Sequence, residues 1–162
     1  IEAMLGYSYK RNLHVSGNLT FQDIKDKMRY EKSQNTYVGD GMNENITYGQ
    51  RLPNIPYFFM NGHADYNFLD FGKKGNSLSL NYDVQYIHDY YLSFTGLGAK
   101  ATKKVIPEQF CHNVSVGYSM KDGRYSILLE CTDISNEKLY DNYRLQKPGR
   151  SFNVKFRYYI TK

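Results

Sequence analysis

The chain has 162 residues, 17 of them tyrosine and 9 phenylalanine, with no tryptophan, a length that fits one ordinary domain and its core. No apolar run nears the ~18 residues that cross a bilayer as a helix, which excludes a helical membrane protein; a β-barrel stays open, because only alternate residues of a crossing strand meet lipid. The formal charge of +5 is spread along the sequence, so no basic block points to nucleic acid.

Period-two alternation dominates the chain. Ala3, Leu5, Tyr7 and Tyr9 interleave with Met4, Gly6, Ser8 and Lys10, a first strand that stops at the short turn Lys10-Arg11-Asn12. Leu13, Val15, Gly17, Leu19 and Phe21 then alternate with His14, Ser16, Asn18, Thr20 and Gln22. A long polar connection runs from Asp23 to Pro56, and its first part, Asp23 to Glu31, reads as the second strand projecting further. Phe58, Met60, Gly62, Ala64, Tyr66 and Phe68 make a third strand, and Gly72 to Asn76 a short turn. Leu78, Leu80, Tyr82, Val84 and Tyr86 stand against Ser77, Ser79, Asn81, Asp83 and Gln85 in the fourth. After a second long connection, Thr95 to Gln109, come Val114, Val116, Tyr118 and Met120, the Asp122-Gly123 hairpin signal, and Tyr125, Ile127, Leu129 and Cys131. The third long connection, Thr132 to Ser151, leads into Phe152, Val154, Phe156, Tyr158 and Ile160.

Seven strands are therefore expected, joined by short and long connections in strict alternation. That asymmetry is the mark of an outer-membrane barrel, with short periplasmic turns and long extracellular loops. Tyrosines fit its interfacial girdles: Tyr7, Tyr9, Tyr66, Tyr118, Tyr125 and Tyr158 with Phe68 at the turn end, and Tyr86, Tyr90 and Tyr91 at the loop end. Seven strands leave two unpaired edges, which lipid does not tolerate, so the first and last strands need partners outside these residues. The opening, Ile1 to Leu5, enters the alternation with no basic n-region or cleavage site and reads as a mid-protein start.

The segment Asn136-Glu137-Lys138-Leu139-Tyr140-Asp141, followed by Pro148-Gly149-Arg150-Ser151-Phe152 and an alternating strand, resembles the last loop and strand of TonB-dependent outer-membrane receptors. Arg51-Leu52-Pro53-Asn54-Ile55-Pro56 is similar to the family's "L-P-x-I-P" approach to a barrel strand, and Ile106-Pro107-Glu108-Gln109-Phe110 to another. The resemblance spans the whole chain. It implies that residues 1–162 are the C-terminal portion, about seven strands, of a 22-stranded antiparallel barrel with a plugged lumen, set in the bacterial outer membrane with its C-terminus periplasmic. It further implies import of a scarce nutrient (an iron chelate, heme, cobalamin or glycan) driven through TonB. The partners would be outer-membrane lipid, the upstream strands and plug, the TonB complex by way of that upstream part, and a surface lipoprotein lid. Within the resemblance Pro53, Pro56, Tyr140, Asp141, Pro148, Gly149, Arg150 and Phe152 are architectural; Pro148-Gly149 turns the loop back to the wall and Arg150 offers a cation to neighbouring acids.

No catalytic constellation is present: there is no nucleophile elbow, no GxGxxG after a strand and no HExxH, so no enzyme is expected. Gly39 to Asn45 lacks the acid spacing of a calcium loop, and Cys111 and Cys131 have no metal-ligand spacing. Neither cofactor nor metal is expected, and pairing of the two cysteines stays open. Parity assigns His14, Ser16, Asn18, Thr20, His63, Asp65, Ser77, Ser79, Asn81, Asp83, Gln85, Ser115, Ser119, Arg124, Ser126, Glu130, Lys155 and Arg157 to the lumen; heme ligation by histidine is the rarer use of such positions. Substrate contact is expected in the long loops, where Tyr37, Tyr48, Arg51, Tyr140, Tyr143 and Arg144 are the anchors by residue type. The alternative is a small or oligomeric outer-membrane barrel with a structural or adhesive role.

Overall fold

The alternating segments fold as strands because a pleated backbone sends successive side chains to opposite faces, which separates their apolar and polar sets. The computed structural model describes residues 1–32 and 42–160. In chain order the strands are β1 Glu2–Tyr9, β2 Leu13–Phe21, β3 Tyr30–Lys32, β4 Met42–Glu44, β5 Phe58–Leu69, β6 Ser77–Ile87, β7 Tyr90–Tyr91, β8 Val105–Ile106, β9 Gln109–Met120, β10 Tyr125–Thr132, β11 Tyr140–Asn142, β12 Leu145–Gln146 and β13 Ser151–Tyr158, with one 3-10 turn at Lys100–Thr102. Seven of them form one antiparallel sheet in the order β1-β2-β5-β6-β9-β10-β13. The six short ones pair as ribbons inside the three long connections: β3 with β4, β7 with β8, β11 with β12.

Most rungs of the wall join like to like, with exceptions such as Met4 opposite Asn18 and Leu128 opposite Lys155. One row runs Tyr9, Leu13, Tyr66, Leu80, Val116, Leu129, Val154. A neighbouring row on the other face runs His14, Asp65, Asn81, Ser115, Glu130, Asn153. A slip of one residue in any pair would put that strand's apolar set on the polar face. The apolar face is also layered along the strands: Phe21, Phe58, Tyr86, Phe110 and Phe152 lie towards the long loops, mainly aliphatic residues fill the middle, where the Tyr82 hydroxyl meets His112 Nδ1 at 2.6 Å, and Tyr9, Tyr66, Phe68, Tyr118, Tyr125 and Tyr158 lie towards the short turns. Ring pairs knit the turn end, Tyr66 to Phe68 at 4.5 Å and Tyr125 stacked on Tyr158 at 4.9 Å.

Both edges of the wall slant in the same sense. The turn edge passes through the pairs Tyr9–Leu13, Leu69–Ser77 and Met120–Tyr125. Followed along hydrogen-bonded rows it shifts by four residues over four strands. The loop edge, through Phe21–Phe58, Ile87–Gln109 and Thr132–Ser151, shifts by five over four. About one residue per strand, at about 3.3 Å rise and about 4.8 Å strand spacing, corresponds to a strand tilt of about 35°.

The sheet is a single layer, and its burial is correspondingly thin. Among the described residues only Ile106, Leu139, Gln109 and Asp133 are buried, and all four lie at the base of the loops beside β9. Both outer strands are open along one edge, with Leu5 78% and Phe152 74% exposed.

Asp23 to Glu31 continues the line of β2 as an irregular ladder rather than a regular strand: Gln22 N–H donates to Tyr57 C=O, Leu52 N–H to Ile24 C=O, Asp26 N–H to Gln50 C=O and Asn45 N–H to Arg29 C=O, a bridge joins Lys25 to Arg51, and Tyr30–Lys32 regains strand form against β4. Three expectations are corrected. The fifth wall strand begins at Gln109 rather than Val114, since its apolar parity continues through Phe110 and His112. Tyr90 and Tyr91 leave the wall, whose last rung there is His88 N–H to Phe58 C=O at 2.9 Å, and pair with β8 in the loop crown. Arg124 does not join the polar face; at the turn its guanidinium reaches the Tyr158 hydroxyl at 3.3 Å.

Candidate functional site

Two regions present organised polar chemistry: the middle of the polar face and the crown of loops above it. On the polar face, antiparallel pairing brings His63 of β5 opposite Asp83 of β6 and Ser16 of β2. His63 Nδ1 lies 2.7 Å from Asp83 Oδ1 and Nε2 lies 3.3 Å from Asp65 Oδ1. An imidazole between two carboxylates serves both best when each nitrogen carries a proton. Beside it, His14 takes Ser8 Oγ at 2.9 Å. The amides of Asn61, Asn18 and Gln85 bond in series, and Asn81 donates to Ser115 Oγ. His63, Asp83, Asn18, Asn61 and Gln85, with Gly17, Gly62 and Cys111, line a trough of about 450 Å³. Nearer the last strand the polar face is ionic: Lys155 meets Glu130 at 2.7 Å. All the residues assigned to the lumen by parity, Arg124 apart, fall on this one face. What it offers is a surface of hydrogen-bond donors and acceptors for a hydrated or polar body. Among the described residues no three His, Cys, Asp or Glu gather as a metal site, and Cys111 and Cys131 are free on opposite faces of the sheet.

In the crown, the first loop is organised by two aspartates. Asp23 receives Lys25 at 3.1 Å and Arg51 at 2.9 Å, and these cations, Lys25 foremost, hold its carboxyl below the ordinary range. Asp26 accepts from the Thr47 hydroxyl, the Met28 N–H and the Asn45 amide, which lower its pKa in that order. Gln50 then braces the first loop to the second: Nε2 donates to Ile46 C=O at 2.7 Å while Oε1 accepts Gly96 N–H at 2.8 Å. A cavity of about 400 Å³ lies between those loops, walled in part by Tyr57, His88, Tyr90 and Tyr91; burial raises the Tyr90 pKa.

The third loop sits on a buried foot. Gln109 Oε1 accepts Tyr140 N–H at 2.6 Å, and Asn113 Oδ1 accepts Asp133 N–H at 2.9 Å. Asp133 in turn receives the Ser135 hydroxyl and the Glu137 N–H on Oδ1, while its Oδ2 has no partner among the described residues. Asn136 Oδ1 accepts Arg150 N–H at 3.0 Å, and a Cβ on Gly149 would stand 2.8 Å from that oxygen. The loop therefore closes at Arg150, just before β13, by a side-chain oxygen accepting a backbone N–H.

The residues proposed from sequence are distributed as follows. Tyr37 lies outside the described residues. Tyr48 is exposed beside Arg29, at 5.9 Å, whereas Arg51 is engaged by Asp23 and lies 4.3 Å over the Tyr57 ring. Tyr140 is anchored to Gln109; Tyr143 has Lys104 from the second loop and its neighbour Arg144 on its ring at 5.2 Å each. Among the described residues no hydrogen bond or ring contact joins Tyr48 or Arg51 to the Tyr140, Tyr143 and Arg144 group. Pro53 precedes Asn54, which turns at φ 60, and Pro56 C=O accepts Gln22 Nε2 at 2.9 Å. Asp141 pairs with Lys147 at 3.1 Å. Pro148 is exposed, Phe152 sits on the apolar face, and Arg150 is held by its backbone rather than as an ionic partner. Gln50, Gln109 and Asp133 were missed by sequence reasoning; as single polar residues in polar surroundings they carry no local signal. Compared with known proteins, the chain matches no family model, no curated sequence and no solved structure.

Proposed function

We propose that this chain is a section of the wall of an outer-membrane β-barrel transporter of the TonB-dependent receptor kind, importing a scarce nutrient such as an iron chelate, heme, cobalamin or a glycan. The apolar face meets lipid, the polar face lines the lumen and touches what fills it, and the three-loop crown is extracellular. One observation carries the reading: an apolar face that runs through seven strands in register, aromatic towards both edges, largely aliphatic between apart from the Tyr82–His112 pair, and covered by no second layer among the described residues. A water-soluble sandwich would cover such a face; in lipid it is the outer surface. The slant of about one residue per strand agrees with the tilt that barrel closure requires.

The test uses the full polypeptide that carries this sequence, with Cys111 and Cys131 replaced by serine and single cysteines placed along β6. Asn81→Cys and Asp83→Cys should react with a charged, water-soluble maleimide in intact outer membranes, and Leu80→Cys and Val84→Cys only with a lipid-soluble one. Equal labelling of both registers by the charged reagent would overturn the membrane wall. The mass of that polypeptide separates a receptor, several-fold heavier than 19.0 kDa, from a small barrel of this size.

A further inference from the structure

The two ends of the wall differ in charge. Lys10, Arg11, Lys73, Lys74, Lys121 and Arg124 stand exposed at the short turns, against Asp70 and Asp122. Asp70 is occupied within its own turn, where its Oδ1 accepts Gly75 N–H at 2.8 Å. In the crown the acids are set among the cations instead: Asp23 holds Lys25 and Arg51, Glu44 faces Arg29, and Asp141 holds Lys147. Three of the turn cations lie against rings of the apolar face. Lys10 Nζ is 5.1 Å from the Tyr9 ring centre, Lys121 Nζ 5.5 Å from that of Tyr125, and Arg124 Cζ 5.7 Å from that of Tyr158. Phe71 draws the second turn to the same side, with its ring 6.1 Å from Phe68 and 6.3 Å from Tyr118. The second and third turns are also bonded to each other: Gly75 C=O accepts Asp122 N–H at 2.8 Å, and Asn76 Oδ1 accepts Lys121 N–H at 3.2 Å. Lys73, Lys74, Lys121 and Arg124 therefore stand on one braced ledge rather than on two separate hairpin tips.

We propose that this rim binds the head groups of anionic phospholipids in the leaflet that the short turns meet, with the ledge of Lys73, Lys74, Lys121 and Arg124 as the main contact. The inference rests on the membrane-wall reading, which puts a bilayer surface at the level of these turns. Cations laid against the outward tyrosines stand at the depth where a bilayer carries its phosphates, just above an aromatic belt. Lysine and guanidinium groups satisfy phosphodiester oxygens by charge-assisted hydrogen bonds, and a cluster of them favours a surface of net negative charge. A zwitterionic head group brings an ammonium that the same cluster repels. The one-sided charge of the rim and the side to which its cations lean thus select the same occupant.

The experiment is native mass spectrometry of the full polypeptide released from mixed micelles of equal phosphatidylglycerol, phosphatidylethanolamine and phosphatidylcholine. Wild type should retain phosphatidylglycerol above the other two by about fivefold. The rim variant Lys73→Gln, Lys74→Gln, Lys121→Gln should bring that preference below about twofold. The crown variant Lys103→Gln, Lys104→Gln, Lys138→Gln removes the same charge and should keep it. Lys73→Gln with Lys74→Gln, which leaves the three ring contacts in place, should already halve it. Heat-modifiable mobility of each variant reports whether the proposed barrel has folded. Equal retention of the three lipids by wild type, a rim variant that keeps the preference, or a crown variant that loses it as fully would overturn the site while leaving the wall in place. Failure of the maleimide pattern along β6 would overturn the wall, and this site with it.

Discussion

At Gly149 a methyl group would stand 2.8 Å from the Asn136 Oδ1 that receives the Arg150 N–H, so the smallest possible side chain disturbs the hinge where the third loop rejoins the wall. Gly149→Ala should cost about 1–2 kcal/mol and speed protease nicking of the 133–150 loop, leaving the heat-modifiable mobility expected of the proposed barrel unchanged. Asp26 makes the same kind of point in the first loop, now with a pH dependence. Its carboxyl lies below the ordinary 3.8 because the ionised form accepts the Thr47, Met28 and Asn45 donors. A carboxylate with a lowered folded-state pKa contributes stability above its unfolded value, and that contribution is lost as pH falls through the folded one. Carboxyl carbon NMR of Asp26 and Asp23 should therefore give midpoints below 3.8, with the 26–47 contacts loosening only beneath them; a midpoint at or above 3.8 would show that these contacts do not select the ionised form.

At the scale of elements, a loop of this kind is held by its base rather than by its tip. Gln109, 5% exposed, ends the second loop and starts β9, and its side chain carries the backbone of β11 at Tyr140. Gln109→Ala removes the acceptor from a part-buried N–H, at about 1–3 kcal/mol. Hydrogen exchange at Tyr140 and at Lys147, whose N–H bonds Leu139 C=O, should rise together, while the β6–β9 ladder stays protected. Gln50 has the analogous role between the first two loops, and Gly96 faces it at a separation where a Cβ would stand 2.5 Å from Gln50 Nε2. The wall strands themselves were legible in sequence because each has a strong period of two and a turn at its end. The short ribbons were not: two or three residues carry no period, and β7 with β8 pairs across a loop whose closure no local pattern announces.

For the whole molecule the decisive quantity is which side of the sheet tolerates charge. Leu129, midway along β10 on the apolar face and 51% exposed, would sit near the hydrocarbon centre of the proposed barrel. Leu129→Lys should then destabilise the folded barrel by about 2–4 kcal/mol in lipid, read as a lower urea midpoint of refolding into vesicles. Asn153→Lys, opposite Glu130 on the polar face, should change it little. Equal tolerance at both positions would mean that the apolar face meets water or another protein layer instead of lipid.

The alternation of residue type by itself determined the number of wall strands, their faces and the placing of tight turns, because a period of two is a local property that each segment states alone. The loop candidates followed from residue type, and residue type cannot distinguish a side chain waiting for a ligand from one already occupied. Arg51 shows the difference: only the fold brings Asp23 and the Tyr57 ring to it. Tertiary structure alone decided the largely like-with-like register across seven strands, the common slant of both edges, the His63 pairing with Asp65 and Asp83, and the braced basic ledge at the short turns. Each depends on residues that are distant in sequence and become neighbours through cross-strand hydrogen bonds, a relation that no single segment contains.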